Sequence, residues 1–350
     1  MGEVLKKRST SAEPDLALAR YFQFMGTGLL LLFLGLLMLG WNYAHIHGNW
    51  QFDLFDLINT HIPVTIRAII FFLLFYGLAV RIPLFPMHGW FPLVSEHGTV
   101  ASAGVFLIGL KVGVFGLIRF VFPLLPEAVV QWQIYVVAFA SAGIFYAALL
   151  ALLQVNLRRL LAFAVVSHTS IMIIGLFSLE HAAFQGSILL AVNFGLATAG
   201  LLFVTGMIYR RTRTLLLNKL GGLFDSIPLI GISFLVAGLS IVDMPGTPGF
   251  DAAHLVLEAA IVRFGALPTI VAALGNVVAA GFLLFAFQKV FLAPKDDKLP
   301  QLKVQETLAS ERLLAGGLIL ILLISGFYSE PWMELIDTSL QPLSALFAHH

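Results

Sequence analysis

The chain has 350 residues, of which 59% are hydrophobic and 11% charged, and its mean hydropathy is +0.95. A soluble domain carries roughly 25% charged residues, so lipid is the expected solvent for a chain this apolar. The formal net charge of +1 gives no basis for binding nucleic acid. The absence of cysteine excludes iron–sulfur clusters, thiolate zinc sites and disulfides, and no glycine-rich nucleotide-binding motif is found. We therefore expect no cofactor and no metal in this chain.

The first twenty residues are polar, and the long apolar run after them has no small-residue cleavage site. This pattern predicts a retained membrane helix, with residues 1–20 as a cytoplasmic segment and residues 21–350 as a transmembrane domain. A bilayer core requires about 20 apolar residues per helix. Runs of this length predict nine spans, at 21–43, 64–92, 99–121, 129–155, 160–178, 184–208, 226–264, 267–292 and 313–330.

Two of the predicted spans are long and contain prolines. The second includes RIPLFP at 81–86, and the seventh includes DMPGTPG at 243–249. Proline removes a backbone donor and clashes with the preceding turn. Broken backbone at membrane depth is tolerated where protein or a wet cavity satisfies it, so the breaks indicate an ion or substrate path. A simple proline kink is the alternative interpretation.

The basic residues between the spans fall on one side of the membrane. The stretches on the other side, 44–63, 179–183 and 330–350, contain acidic residues but no Lys or Arg. Because basic loops stay in the cytoplasm, this distribution predicts a cytoplasmic N-terminus and an external C-terminus. The basic residues are Lys6, Lys7, Arg8, Arg20, Arg158, Arg159, Arg210, Arg211, Arg213, Lys219, Lys295, Lys298 and Lys303.

Two ionisable residues lie in the middle of predicted spans. Lys111 occurs in LIGLKVGVF, and His168 occurs in FAVVSHTSIMII. An ionisable group at mid-bilayer costs a few kcal/mol, about 2.5–3.5 for lysine, so each is a candidate functional residue. A buried lysine can exchange protons, and an imidazole can both accept and donate them. The alternatives are a structural lysine paired with a carboxylate on a neighbouring helix, and a histidine satisfied by packing.

Polar residues also accompany both breaks. Arg81 precedes the first break, and because arginine keeps its proton in proteins it can hold water or bias the field but cannot carry a proton. Asp251, His254 and Glu258 follow the second break with i, i+3, i+7 spacing, which places them on one helix face. One interpretation of this acidic stripe is a hydrated exit pocket. The other is a solvated helix end or an interface with a partner subunit.

Several motifs occur in a fixed order between about residues 20 and 340. RIPLFPMHGWFP and LKVGVFGLIRFVFPLLPEA come first, followed by QVNLRRLLAFAVVSHTSIMIIGLF and HAAFQGSILLAVNFGLATAGLLFVTGMIYRRTRT. LGGLFDSIPL, MPGTPGF and LISGFYSEPW complete the series. Together they resemble the antiporter-like subunits of respiratory complex I, and among these most closely the subunit M (chain 4) family. Related chains occur in Mrp-type antiporters and membrane-bound hydrogenases.

The resemblance implies an all-α membrane protein of about nine transmembrane helices, two of them broken, with a truncated antiporter-like fold. In that family protons pass through two inverted five-helix repeats joined by a row of charges. Lys111 matches the central lysine and His168 the relay histidine. Three positions depart from the family: the broken-helix lysine is Arg81, a second histidine is Asn193 and the exit glutamate is Ala253. The family's first five helices have no counterpart here, so we expect a partner chain to supply them.

The resemblance further implies a membrane-arm subunit of a complex I-like NADH (or other donor):quinone oxidoreductase. Such a subunit contributes to proton translocation, while electron transfer takes place on other subunits. The alternatives are a non-pumping structural spacer of such a complex and a subunit of a redox-independent cation/proton antiporter. We expect partners among other membrane subunits, in a bacterial inner membrane. The expected proton path comprises Lys111, His168, Arg81, Asp251, His254 and Glu258.

Overall fold

The computed structural model describes residues 14–97, 103–294 and 306–348, and its regular elements there are helices, with one isolated bridge between Asn156 and Leu216. In chain order the helices are α1 (Pro14–His47), α2 (Leu54–Ile58), α3 (Val64–Ala79), α4 (Phe91–His97), α5 (Ala103–Gly116), α6 (Phe122–Leu124), α7 (Pro126–Leu152), α8 (Leu157–Ser178), α9 (His181–Thr212), α10 (Pro228–Ile241), α11 (Pro248–Phe264), α12 (Ala266–Phe287), α13 (Ala309–Phe327) and α14 (Glu330–Ala345). Two π-helical turns extend α5 and α12, at Leu117–Val121 and Gln288–Leu292.

The all-α fold is confirmed for the described residues, and the long apolar helices lie at the predicted spans, whereas α2 and α14 lie in stretches predicted to be outside them. Six of these helices are long and apolar enough to cross a membrane: α1, α7, α8, α9, α12 with its π-helical turn, and α13. The second and seventh predicted spans are divided at their prolines, so α3 and α10 are shorter apolar helices. α1 begins at Pro14, seven residues before the predicted start of the first span at 21.

The C-terminal stretch differs from the sequence prediction, which placed only a polar tail there. Glu330–Ala345 forms the helix α14, and its Leu340 and Leu343 are buried. At the start of α9, His181 Nε2 lies 2.7 Å from Asp337 Oδ1, and Gln185 donates to the same oxygen at 2.9 Å. These bonds fix α14 against α9.

α8 is the central helix of the bundle. Apart from Arg159, all of its residues are buried, and it packs against α4, α7, α9, α11 and α12. A helix that is buried on all sides has no face turned to lipid, so its polar side chains must find partners in protein or water. The position of His168 on α8 therefore places its imidazole in the interior of the chain.

Both breaks are satisfied by protein groups. At the first break, the indole of Trp90 donates to the Val80 carbonyl at 2.9 Å. At the second break, Asn193 Nδ2 donates to the Ser240 carbonyl at 2.8 Å. Residues 80–90 and 242–247 lie outside the α-helices, so each break is an interruption several residues long and not a simple kink. Such interruptions at membrane depth require these side-chain donors.

A buried ion pair joins α9 to α13. Arg211 donates to the two carboxylate oxygens of Glu311 at 3.2 and 2.5 Å, and the side chains are only 2% and 10% exposed. Removing one partner of such a buried pair typically costs about 3–5 kcal/mol. The pair lies at the end of α9 that the basic residues predict to be cytoplasmic. Six of those basic residues lie outside the described residues: Lys6, Lys7, Arg8, Lys295, Lys298 and Lys303.

Candidate functional site

Lys111 lies on α5 and is half-buried. Within the described part of the chain no carboxylate forms a salt bridge with it, so the interpretation as a paired structural lysine gains no support. Two residues further on, a Cβ at Gly113 would collide with Ile82 and lie 3.0 Å from the Leu78 carbonyl. The turn of α5 that carries Lys111 therefore packs directly on the first break. Arg81, also half-buried, belongs to the same break.

His168 lies at the centre of α8 and is fully buried. Neither ring nitrogen has a hydrogen-bond partner among the described residues, and the ring packs on Phe194 at 5.3 Å between centroids. Burying a polar group without a partner costs about 2–7 kcal/mol, and a packing histidine is normally hydrogen-bonded. The unsatisfied ring therefore favours the relay interpretation, in which water bonds to both nitrogens.

The hydroxyls beside His168 bond to backbone carbonyls. Ser167 donates to the Ile144 carbonyl at 3.2 Å, and Thr169 and Ser170 each donate to the Val166 carbonyl at 3.0 Å. Each hydroxyl keeps free lone pairs and can still accept a hydrogen bond from water. These residues can therefore line a water chain as acceptors, while the Ser167 hydroxyl joins α8 to α7 and the other two hydroxyls bond within α8.

Two glycines bring α8 close to both breaks. A Cβ at Gly143 on α7 would lie 3.0 Å from Ser170 Oγ and 2.8 Å from the Cβ of Phe85, which belongs to the first break. A Cβ at Gly275 on α12 would collide with Ile144 of α7 and lie 4.0 Å from Ser167 Oγ of α8. The residue after Gly275 bonds to the second break, as described next. His168 therefore lies on the segment of α8 between these two approaches.

A polar cluster fills the interior side of the second break. Asp243 is buried, and its Oδ2 accepts from Asn276 Nδ2 of α12 at 3.1 Å. Asn193 of α9 bonds Ser240 in both directions, donating to its carbonyl and accepting from its hydroxyl at 2.5 Å. A side chain at Gly249 would collide with both the Asp243 carboxylate and the Asn193 amide. The absence of a side chain there lets the cluster close around the start of α11.

Sequence reasoning missed Asp243 as a functional candidate. It was noted only as the first residue of the proline-rich break, where an aspartate is a common turn former. The signal that could have identified it is its place between two apolar spans, where a carboxylate is costly. His88 was missed as well: it is buried beside the first break, packs on Phe85 and Tyr146, and its Nδ1 has no partner among the described residues.

The acidic stripe, formed by Asp251, His254 and Glu258, faces the outside of the chain. The Asp251 carboxylate accepts a hydrogen bond from the Ser329 hydroxyl. The His254 and Glu258 side chains are 75% and 67% exposed and lie 3.9 Å apart at His254 Nε2 and Glu258 Oε2. The described residues thus do not enclose these two side chains in a pocket. This exposure fits the alternative of a surface that meets a partner, and the hydrated exit pocket stays a prediction.

Comparison with known proteins gives a consistent family relationship. The sequence model of the family described as "NADH:quinone oxidoreductase/Mrp antiporter, TM" matches residues 6–279. NADH-quinone oxidoreductase subunit M of Pseudomonas aeruginosa is 31% identical over 326 residues, which is 91% of this chain and 62% of that protein. The subunit M of Escherichia coli is 28% identical over 329 residues, 92% of this chain and 63% of that protein. The chain therefore spans about 62–63% of the length of these relatives.

Solved structures agree on the fold. A chain of respiratory complex I from Thermus thermophilus with bound NADH superposes with a TM-score of 0.84 at 26% identity, covering 99% of this chain and 72% of that one. A chain of the Mrp complex from Dietzia gives a TM-score of 0.85 at 18% identity, covering 99% and 73%. At that lower identity the likeness concerns the fold alone. The resemblance inferred from the ordered motifs is confirmed.

The close packing at Gly249 predicts that adding a single methyl group there lowers the stability of the protein. Gly249→Ala places a Cβ against the Asp243 carboxylate and the Asn193 amide, so we expect a destabilisation of about 1–3 kcal/mol from overpacking. Gly238→Ala on α10 is the matched control, because nothing lies within 4 Å of a Cβ there and alanine favours the helix. Thermal unfolding of the two purified variants tests this. Equal midpoints would contradict the close approach at Gly249.

Proposed function

Because the chain belongs to the NADH:quinone oxidoreductase/Mrp antiporter family of transmembrane proteins, we propose that it is a proton-translocating subunit in the membrane arm of a complex I-like assembly. The observation that carries this proposal is His168, an imidazole that has no hydrogen-bond partner among the described residues and lies on the buried central helix that approaches both breaks. An unsatisfied titratable group in such a place is costly unless water reaches it. A water chain along α8 would join the two breaks.

Within this proposal Lys111 and His168 exchange protons, and Arg81 does not. Lys111 lies in the turn of α5 that packs on the first break and has no carboxylate partner among the described residues. A lysine free of a counter-charge can alternate between its charged and neutral forms. Arg81 stays charged and sets the field at the break. In this proposal electron transfer belongs to other subunits.

The first functional test concerns Lys111. Lys111→Ala removes the amine, and we expect lower proton uptake per electron pair in vesicles that contain the assembled complex, with the amount of complex unchanged. Lys219→Ala is the matched control, because Lys219 is exposed at the end of a loop turn. Wild-type translocation by an assembled Lys111→Ala complex would remove Lys111 from the path. It would instead favour a non-pumping spacer subunit.

We further propose that the acidic stripe meets a neighbouring membrane subunit and forms with it the outer end of the path. His254 and Glu258 are the exposed members, while Asp251 is held by Ser329 of the turn before α14. In lipid these polar groups would lack partners, whereas a second protein can enclose them with water. The exit would then belong to two chains.

The double substitution Asp251→Asn, Glu258→Gln tests the stripe, because it keeps the side-chain shapes and removes both titrating carboxyls. We expect reduced proton translocation per electron pair in an assembled complex. The single substitution Glu330→Gln is the control, since Glu330 is an exposed acid at the start of α14 outside the stripe. Unchanged translocation by the double variant would show that the stripe is no part of the exit.

We propose a bacterial inner-membrane location with the N-terminus in the cytoplasm, and a second polypeptide that covers the outer face of α1. The exposed surface of α1 carries polar as well as apolar side chains. Arg20 donates to Gln23, and the Thr27 hydroxyl donates to the Gln23 carbonyl at 2.8 Å. Gln23 and Thr27 bond within their own helix and keep unused donors and acceptors. Membrane helices associate through such polar contacts and close packing.

The structure of the assembled complex tests the covering of α1. We expect another polypeptide segment within about 4–4.5 Å of the Gln23 and Thr27 side chains, which is the distance of ordinary packing contact. Its chain identity, established by sequencing every subunit of the purified complex, would also name the neighbour. Density for lipid alone along this face of α1 would contradict the proposal.

A further inference from the structure

We propose that Asp243 is the internal acid of the ion path: a proton-exchanging carboxyl at the second break that accepts protons from the His168 side and releases them toward the acidic stripe. This inference rests on the proposed function and deepens it, because it assigns a residue to the step between His168 and the outer end. From the sequence, Asp243 was identified only as the first residue of the second break.

The carboxyl of Asp243 is buried without a counter-charge. Its side chain is 7% exposed, and among the described residues no Lys, Arg or His forms an ion pair with it. Its Oδ2 accepts from Asn276, but its Oδ1 has no donor, and neither has Asn276 Oδ1. Two acceptor oxygens without donors require water or a proton held on the carboxyl itself. A bound water and a carboxyl that can hold a proton are the components of a proton-transfer site.

The neighbouring helices surround Asp243 with uncharged groups. Asn193 comes from α9, Ser240 from the end of α10, Gly249 from the start of α11 and Asn276 from α12. Amide and hydroxyl groups can rotate or exchange hydrogen bonds as the carboxyl gains and loses a proton, whereas a fixed cation would hold it in the charged form. The surroundings therefore permit both protonation states.

Asn276 places this carboxyl on the His168 side of the bundle. It follows Gly275, and a Cβ on Gly275 would lie 4.0 Å from Ser167 Oγ, next to His168 on α8. Gly275 packs on Ile144 of α7, and the Ile144 carbonyl accepts from the Ser167 hydroxyl at 3.2 Å. The contacts therefore run from Asp243 to Asn276 and, through the packing of Gly275 on Ile144, to Ser167. Both nitrogens of His168 and Oδ1 of Asp243 lack protein partners among the described residues. Water that satisfies these atoms would connect the imidazole with the carboxyl.

The proposed step transfers one proton and changes no other bond. A protonated His168 gives its proton to a bridging water, which passes a proton to the Asp243 carboxylate, and imidazole and carboxylic acid result. The carboxylic acid then releases its proton to water on the outer side of the break, where Asp251 begins the acidic stripe eight residues further along the chain. The carboxylate is thereby regenerated and ready for the next proton.

A purely structural aspartate predicts a different response to substitution. Asp243→Asn keeps the size of the side chain and an oxygen that can accept from Asn276, so a structural role would largely survive. A proton-exchanging role would not survive the substitution, because the side-chain amide of asparagine does not gain or lose a proton as a carboxyl does. Asp225→Asn is the matched control: the same substitution at an exposed aspartate before α10.

The experiment compares proton uptake per electron pair by the assembled complex in vesicles for wild type, Asp243→Asn, Asp225→Asn and Lys111→Ala. We expect Asp243→Asn to lose the same share of translocation as Lys111→Ala, with Asp225→Asn at the wild-type level. Loss in Lys111→Ala together with normal uptake in Asp243→Asn would overturn the role of Asp243 and leave the proposed function standing. Normal uptake in both would overturn the proposed function itself.

Infrared difference spectra provide a readout that a structural role would not change. Between acidic and alkaline buffer, wild type should show a protonated-carboxyl band that is absent in Asp243→Asn and present in Asp225→Asn. If Asp243→Asn fails to assemble, Asp243→Glu replaces it, and the same band should persist at a shifted frequency. Identical carboxyl bands in wild type and the assembled Asp243 variant would overturn the proposal.

Discussion

The structure depends on one constraint, which is that a polar group inside a membrane bundle must find its partner in protein or water. The α-helices satisfy their own backbones, but the two breaks do not, and each is completed by a side chain from elsewhere. Trp90 donates to the Val80 carbonyl at the first break, and Asn193 donates to the Ser240 carbonyl at the second. Because irregular backbone at this depth survives only where it is satisfied, the breaks and the polar side chains that complete them form one structural unit.

Glycines at the helix contacts bring the two breaks and the central helix α8 close together. Gly143 allows the first break to approach α8, Gly275 allows α12 to approach Ile144 of α7 beside α8, and Gly249 allows Asp243 to approach the start of α11. A methyl group at any of these positions would meet a neighbouring side chain at less than ordinary contact distance. Since small residues let membrane helices approach closely, they also bring the polar groups of different helices within reach of one water chain.

The sequence was sufficient for the long apolar helices and both breaks, but not for the helix α14, and Lys111 and His168 stay its candidates for the path. Apolar run length and proline are local signals, and the fold follows them. The direction in which the acidic stripe faces could not be predicted from local signals. The i, i+3, i+7 spacing shows that Asp251 and Glu258 share a helix face, but not where that face points. Asp243 was overlooked for a related reason, because its burial depends on α9 and α12, which contact it from far along the chain.

The charges at the two breaks have opposite consequences for an ion path. Arg81 at the first break cannot lose its proton, so it contributes a constant positive field that repels a proton on nearby groups and favours movement away from it. In the proposed path the second break carries Asp243, whose charge appears and disappears with each proton. A fixed cation at one end and a switchable anion at the other would orient the water between them in one direction. His168, whose ring nitrogens have no hydrogen-bond partner among the described residues, is the group between these ends that can change its hydrogen bonds with the passage of each proton.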